Sequence, residues 1–132
     1  MLLGRDLSRS IFTTFFFFKI FFVSSQCDQQ VTMEVEATVY NALPGQCNED
    51  YLTTASGLKI NKDNLPRIIA VSRDLEKHFP LGTKVRICNT GKFDGIYWVE
   101  DRMNRRWKRK IDILVNDNIK LGKWKKVLIT KM

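Results

Sequence analysis

Histidine is almost missing from this chain of 132 residues: His78 is the single one. One imidazole cannot make a histidine-based metal cluster, and no local motif supports a Ser-His-Asp or Cys-His triad around it. His78 reads as a surface residue capping a short helical turn. The seven glycines form no phosphate-cradling loop, and the three cysteines form no Cys-x-x-Cys pair. No internal repeat is present. No metal and no cofactor is therefore expected. The longest apolar run, Ile11 to Val23, is too short for a comfortable membrane span and is broken by Lys19.

That run has the shape of an export leader instead. Arg5 and Arg9 precede it, and Ser24-Ser25-Gln26 follows it with small and polar residues. Residues 1–26 are read as a signal peptide or lipoprotein leader, 27–34 as a tether, and 35–132 as one domain. A retained membrane anchor is the alternative. Cys27, directly after the run, is a lipidation candidate, although Gln26 is larger than the residue usual before an acylated cysteine. A free thiol on a tail is the other reading. The expected location is exported, in the periplasm or at the outer membrane. Cys47 and Cys88, both inside the domain, are expected to form a disulfide in an oxidising compartment.

The whole chain carries a net charge of +8. Without Arg5, Arg9, Lys19 and Asp6 it keeps 19 basic and 13 acidic residues, a net charge of +6. Such a surface favours polyanions. In an exported protein these are wall polymers or lipopolysaccharide rather than nucleic acid.

Short strands dominate the domain. Met33 to Tyr40 alternates, with Val35, Ala37 and Val39 on one side and Glu34, Glu36 and Thr38 on the other. Ile68 to Val71 is a compact β-branched run. Lys84 to Cys88, Ile96 to Glu100, Ile111 to Val115 and Lys126 to Thr130 are further strands. Arg73 to Phe79 suggests a helical turn or two, and Asn116 to Leu121 a short helix. About six strands with little helix indicate a small barrel or sandwich.

Asp101 and Asp112, eleven positions apart, bracket a basic turn between two of these strands. A strand ending in one carboxylate and a strand opening on another can aim both acids into one pocket. That suits acid/base chemistry or the binding of sugar hydroxyls. Two solvated loop carboxylates would show the same pattern. Trp98, Trp107 and Trp124 are candidates for stacking on sugar rings. Alternation makes Trp98 at least partly core, and Trp107, in the basic turn, the better placed for a ligand.

Five stretches in order carry a family resemblance: Thr54-Ala55-Ser56-Gly57, Ile68-Ile69-Ala70-Val71-Ser72, Pro80-Leu81-Gly82-Thr83-Lys84-Val85, Val99-Glu100-Asp101 and Ile111-Asp112-Ile113. The set resembles the 3D (three-aspartate) domain of the double-psi β-barrel group. That group includes the C-terminal domain of membrane-bound lytic transglycosylase A and rare lipoprotein A. The resemblance covers roughly Glu36 to Lys131. It implies a mainly β fold, a small six-stranded double-psi β-barrel with one or two short helices. It implies peptidoglycan or another cell-wall polysaccharide as ligand. It also implies lytic transglycosylase-like cleavage with Asp112 as general acid and base and Asp101 in support. Asp117 is taken as the third aspartate. Trp107, Arg106 and Thr54 are the residues expected to bind substrate. The bulky turn Arg102-Met103-Asn104-Arg105-Arg106-Trp107 departs from the small, glycine-rich turn of many catalytic relatives. A non-catalytic wall-binding module or structural lipoprotein is therefore the alternative function.

Overall fold

The computed structural model describes residues 30–44 and 50–132. The leader, Cys27 and Cys47 lie outside the described residues. Six strands follow one another along the chain: β1 (Thr32–Tyr40), β2 (Ile68–Val71), β3 (Lys84–Cys88), β4 (Gly95–Arg102), β5 (Lys110–Leu114) and β6 (Lys123–Lys131). They close into a barrel in the order β1-β5-β2-β4-β3-β6. This is the expected mainly β, six-stranded double-psi barrel. Closure leaves no open sheet edge, which is how so small a sheet avoids pairing with other chains.

Two of the six strand pairs, β1 with β5 and β2 with β4, are parallel, and the rest are antiparallel. Parallel neighbours need a crossover, and here other strands of the barrel supply it. Each strand sends alternate residues inward. Ala37, Ile69, Val71, Val85, Ile87, Val99, Ile111, Val127 and Ile129 are fully or almost fully buried. These are nearly all β-branched, the shape that packs on a pleated surface. Leu75 and Phe79 join this core, held one turn apart by Phe79 N–H donating to Leu75 C=O at 2.9 Å.

A second, smaller cluster lies outside the barrel wall. Ala42, Ile60, Ile68 and Leu114 are buried there, with Tyr51 and Leu52 against them. The long β1–β2 connection thus covers part of the outer faces of β2 and β5. Its Thr54–Gly57 turn reaches the edge of the row that holds the acidic pair, where Ala55 N–H donates to Asp101.

Three expectations need correction. The helical turns at Arg73 to Phe79 shrink to one 3₁₀ turn, Arg73–Leu75. No helix forms at Asn116 to Leu121. Asn41 Nδ2 reaches the carbonyls of Val115, Asn116 and Ile119 at 3.3, 2.8 and 3.0 Å. Those carbonyls are thus held in a turn, a conformation that the Asn-Asp-Asn run favours. Trp98 is not core: it stands on the outer face of β4 with 45% of its surface exposed. Tyr97 and Val99 take the inward positions.

Candidate functional site

The site is a row of four residues across four adjacent positions of the barrel wall. Thr38 of β1 is opposite Asp112 of β5, Asp112 is opposite Ala70 of β2, and Ala70 is opposite Asp101 of β4. The two acids therefore flank one small residue. Their backbones are two strand spacings apart, roughly 10 Å, and the Ala70 methyl between them leaves room above it.

Asp101 reaches this row through a β-bulge. Ile69 pairs with Val99 and Ala70 with Asp101, so Glu100 is the extra residue. Strict alternation from outward-facing Trp98 would turn Asp101 toward the core. The bulge turns it outward, and Glu100 and Asp101 both face the single position Ala70.

Hydrogen bonds fix both carboxylates. Thr38 Oγ1 donates to Asp112 Oδ1 at 2.8 Å. Asp101 Oδ1 accepts the backbone N–H of Ala55 at 3.1 Å and of Arg102 at 2.9 Å. The Ala55 contact comes from the Thr54-Ala55-Ser56-Gly57 turn, which is docked on the end of β4. Ser56 N–H donates to Glu100 C=O at 3.1 Å, and the Ser56 hydroxyl donates to the Glu100 carboxylate.

Burial pushes the Asp112 carboxyl above the ordinary aspartate range. The Thr38 hydroxyl and the Lys110 ammonium pull it down less strongly, and the Asp101 charge adds a small upward push. Asp101 is also raised by burial, against the two N–H groups it accepts and the Arg102 charge. Glu36, Asp50, Asp74 and Asp94 shift the other way. At Glu36 the Lys123 contact dominates, and at Asp94 the Thr90 hydroxyl. The two raised carboxyls thus stand together on one face, while the lowered ones lie at hydrogen-bonded turns and ion pairs elsewhere.

The basic turn between β4 and β5 is held at both ends by the last residue of β2 and the residues just after it. Met103 N–H donates to Val71 C=O, and Arg73 Nε donates to Met103 C=O at 3.1 Å. Lys110 N–H donates to Ser72 Oγ at 3.1 Å, and Arg109 N–H to the Asp74 carboxylate at 3.0 Å. The two acids are thereby clamped from one strand end.

The remaining candidates are placed differently. Asp117 lies in the turn after β5 and pairs with Lys62 at 2.8 Å, apart from the row. Thr54 is buried and bonds within its own turn, its hydroxyl accepting Leu58 N–H at 3.1 Å. It shapes the wall of the site rather than presenting itself to a ligand. Trp107 lies partly exposed in the basic turn, with Lys110 Nζ 3.9 Å and the Arg106 guanidinium 4.8 Å from its ring. Cys88 ends β3 half-buried and bonds to no other sulfur among the described residues. Thr38 and Ala70 escaped sequence reasoning. Thr38 was legible only as one polar residue on the outer side of β1. Among the described residues no group of three or more His, Cys, Asp or Glu could hold a metal ion.

No protein-family model matches the chain, and no curated protein does. Solved structures share its fold, among them two at low sequence identity. One is an aspartate-to-asparagine variant of Clavibacter michiganensis expansin in complex with cellohexaose, at 15% identity and a TM-score of 0.51. The match covers 77% of this chain and 50% of the expansin. The other is the Streptomyces papain inhibitor, at 17% identity and a TM-score of 0.52, over 77% of this chain and 94% of the inhibitor. At such identities the likeness is one of fold.

Proposed function

We propose that this chain is an exported, three-aspartate-type double-psi barrel that acts on peptidoglycan. In this reading Asp112 is the general acid and base of a lytic transglycosylase-like cleavage. The observation that carries it is the pair Asp101 and Asp112, flanking Ala70 on one outer face with both carboxyls raised by burial. The expansin, half of whose chain matches this fold, was solved in complex with cellohexaose, which adds support for a glycan ligand.

The chemistry requires a carboxyl group that keeps its proton until it meets the glycosidic oxygen. Burial moves Asp112 in that direction, and Thr38 holds its carboxyl in one orientation. Protonated Asp112 donates to the leaving oxygen as the bond to the anomeric carbon breaks. The resulting carboxylate takes the proton of the sugar's 6-hydroxyl, whose oxygen closes on the anomeric carbon. The product is a 1,6-anhydro sugar, no water is consumed, and Asp112 ends protonated again. Asp101 supports this by charge and by shaping the site. The leader, or a lipid on Cys27, would keep the protein near its polymer.

A non-catalytic wall-binding module is the second reading. It is favoured by Asp101, whose Oδ1 is occupied by two backbone N–H groups as in a structural role. Digestion of purified peptidoglycan decides between them. Anhydro-muropeptides released by the native protein and absent with Asp112→Asn are expected. Binding without any such product would establish the module instead.

A further inference from the structure

Trp98 is exposed on the same outer face as the acidic pair, directly opposite Ile68 of β2. Beside it a shallow cleft of about 290 Å³ is lined by Leu58, Pro66, Arg67, Ile68, Trp98 and Glu100. That is at the small end for a small-molecule site, and it suits one sugar unit rather than a long segment of chain. Glu100 is the bulge neighbour of Asp101, so the cleft adjoins the row that holds the acids.

The cleft has an apolar floor and two polar groups of opposite kind. Arg67 is set in place: Nε donates to Ile96 C=O at 3.1 Å, and its guanidinium stacks 4.5 Å from the Tyr97 ring centre. Gly95 makes this possible, since a Cβ there would lie 2.7 Å from Arg67 Nη2. Arg67 Nη1 has no protein partner among the described residues. Glu100 accepts the Ser56 hydroxyl through one oxygen, and its other oxygen is free among the described residues. Thus one fixed donor and one acceptor stand over a bed of Leu58, Pro66 and Ile68, beside a flat ring.

We infer that this cleft is a sugar subsite that selects an N-acetylhexosamine unit next to the acidic pair. The pyranose stacks its C–H face on Trp98. The acetamido methyl rests on the Leu58, Pro66 and Ile68 bed. Its N–H donates to Glu100 and its carbonyl accepts from Arg67. A plain hexose has a hydroxyl at that position, offers nothing to the apolar bed and leaves the Arg67–Glu100 pair less well satisfied. This rests on the reading of the outer face as a peptidoglycan site, and it adds which residues there recognise the acetamido group.

Isothermal titration of the native protein with chitotetraose and cellotetraose tests it. The expected result is binding of chitotetraose roughly tenfold or more tighter, the discrimination that a hydrogen-bonded group with a buried methyl supplies. Trp98→Ala should weaken both oligosaccharides, while Leu121→Ala, at an exposed residue outside the cleft, should leave both affinities within about twofold. Arg67→Ala or Leu58→Ser should bring the ratio toward one while the melting curve stays cooperative; two variants are used because Arg67 also braces Tyr97. Equal affinity of the native protein for the two oligosaccharides would overturn the inference, as would Trp98→Ala leaving both unchanged. If peptidoglycan is still cleaved or bound in that case, the proposed function stands without this subsite. If the native protein neither binds nor cleaves peptidoglycan, the outer-face glycan reading falls and this inference with it.

Discussion

Asp112 separates two demands that one carboxyl rarely meets together. It must hold a proton more readily than an ordinary carboxyl, which burial favours, and it must hold an orientation, which the Thr38 hydroxyl provides. Asp112→Asn keeps the shape and removes the proton. Glycan cleavage should fall by about 10²- to 10⁴-fold, the usual share of a general acid, with wall binding retained. Stability should move the other way. A carboxyl whose folded-state pKa is raised favours folding most below the ordinary aspartate value near 3.8, and loses that advantage as pH rises through the raised value. Above that raised value the native protein carries a buried charge that Asp112→Asn lacks. The variant should melt at or above the native temperature at pH 7, with the difference shrinking as the pH falls toward 4. Thermal melts of both proteins across that range check it. A variant less stable at pH 7 than at pH 4, relative to native, would contradict the burial account.

At the scale of elements, β2 is the spacer that sets the site. Ala70 lies under the gap between the two acids and is itself nearly buried. Ala70→Val adds two methyl groups into that gap. Overpacking of this kind costs typically about 1–3 kcal/mol, so the barrel should fold while cleavage and glycan binding both drop. Unchanged cleavage by a folded Ala70→Val protein would mean that the substrate does not pass between Asp101 and Asp112. The Thr54–Gly57 turn is the second device. Gly57 has a φ of +90°, which a β-branched residue tolerates poorly. Gly57→Val should loosen this turn, destabilise the protein by roughly 1 kcal/mol or more, and free Asp101 from Ala55. Amide hydrogen exchange should then speed up at Ala55 and Ser56 while the core strands stay protected.

For the whole molecule, one closed barrel supplies the core, and the only long connection described is tied down by Ile60 and its neighbours. The Cys47–Cys88 disulfide proposed from the sequence would fasten the same connection to the end of β3. A bond closing about forty residues contributes roughly 3–4 kcal/mol by chain entropy. Alkylation of the unreduced, exported protein, followed by mass spectrometry, should find neither thiol modified. Two alkylated cysteines at positions 47 and 88 would remove the bridge.

The sequence by itself determined most of the strands, because a β-strand writes its burial into every second residue. Val35 and Ala37, or Val85 and Ile87, declare the inner face without help. The eleven-residue spacing also pointed to Asp101 and Asp112, since it follows local strand ends. Strand order was not readable, because parallel pairing of β1 with β5 joins residues more than seventy positions apart and leaves no local mark. Only the tertiary structure brought Thr38 to Asp112 and placed Ala70 between the acids. Only it showed the bulge at Glu100, a one-residue slip that no periodicity reveals and that reverses which way Asp101 faces. Trp98 was misread for a related reason. Beside Tyr97 and Val99 an aromatic residue fits either face, and closure of the barrel put Tyr97 and Val99 inside. Burial of the two carboxyls, which sets their chemistry, is likewise a property of the closed wall and its covering loop rather than of any residue alone.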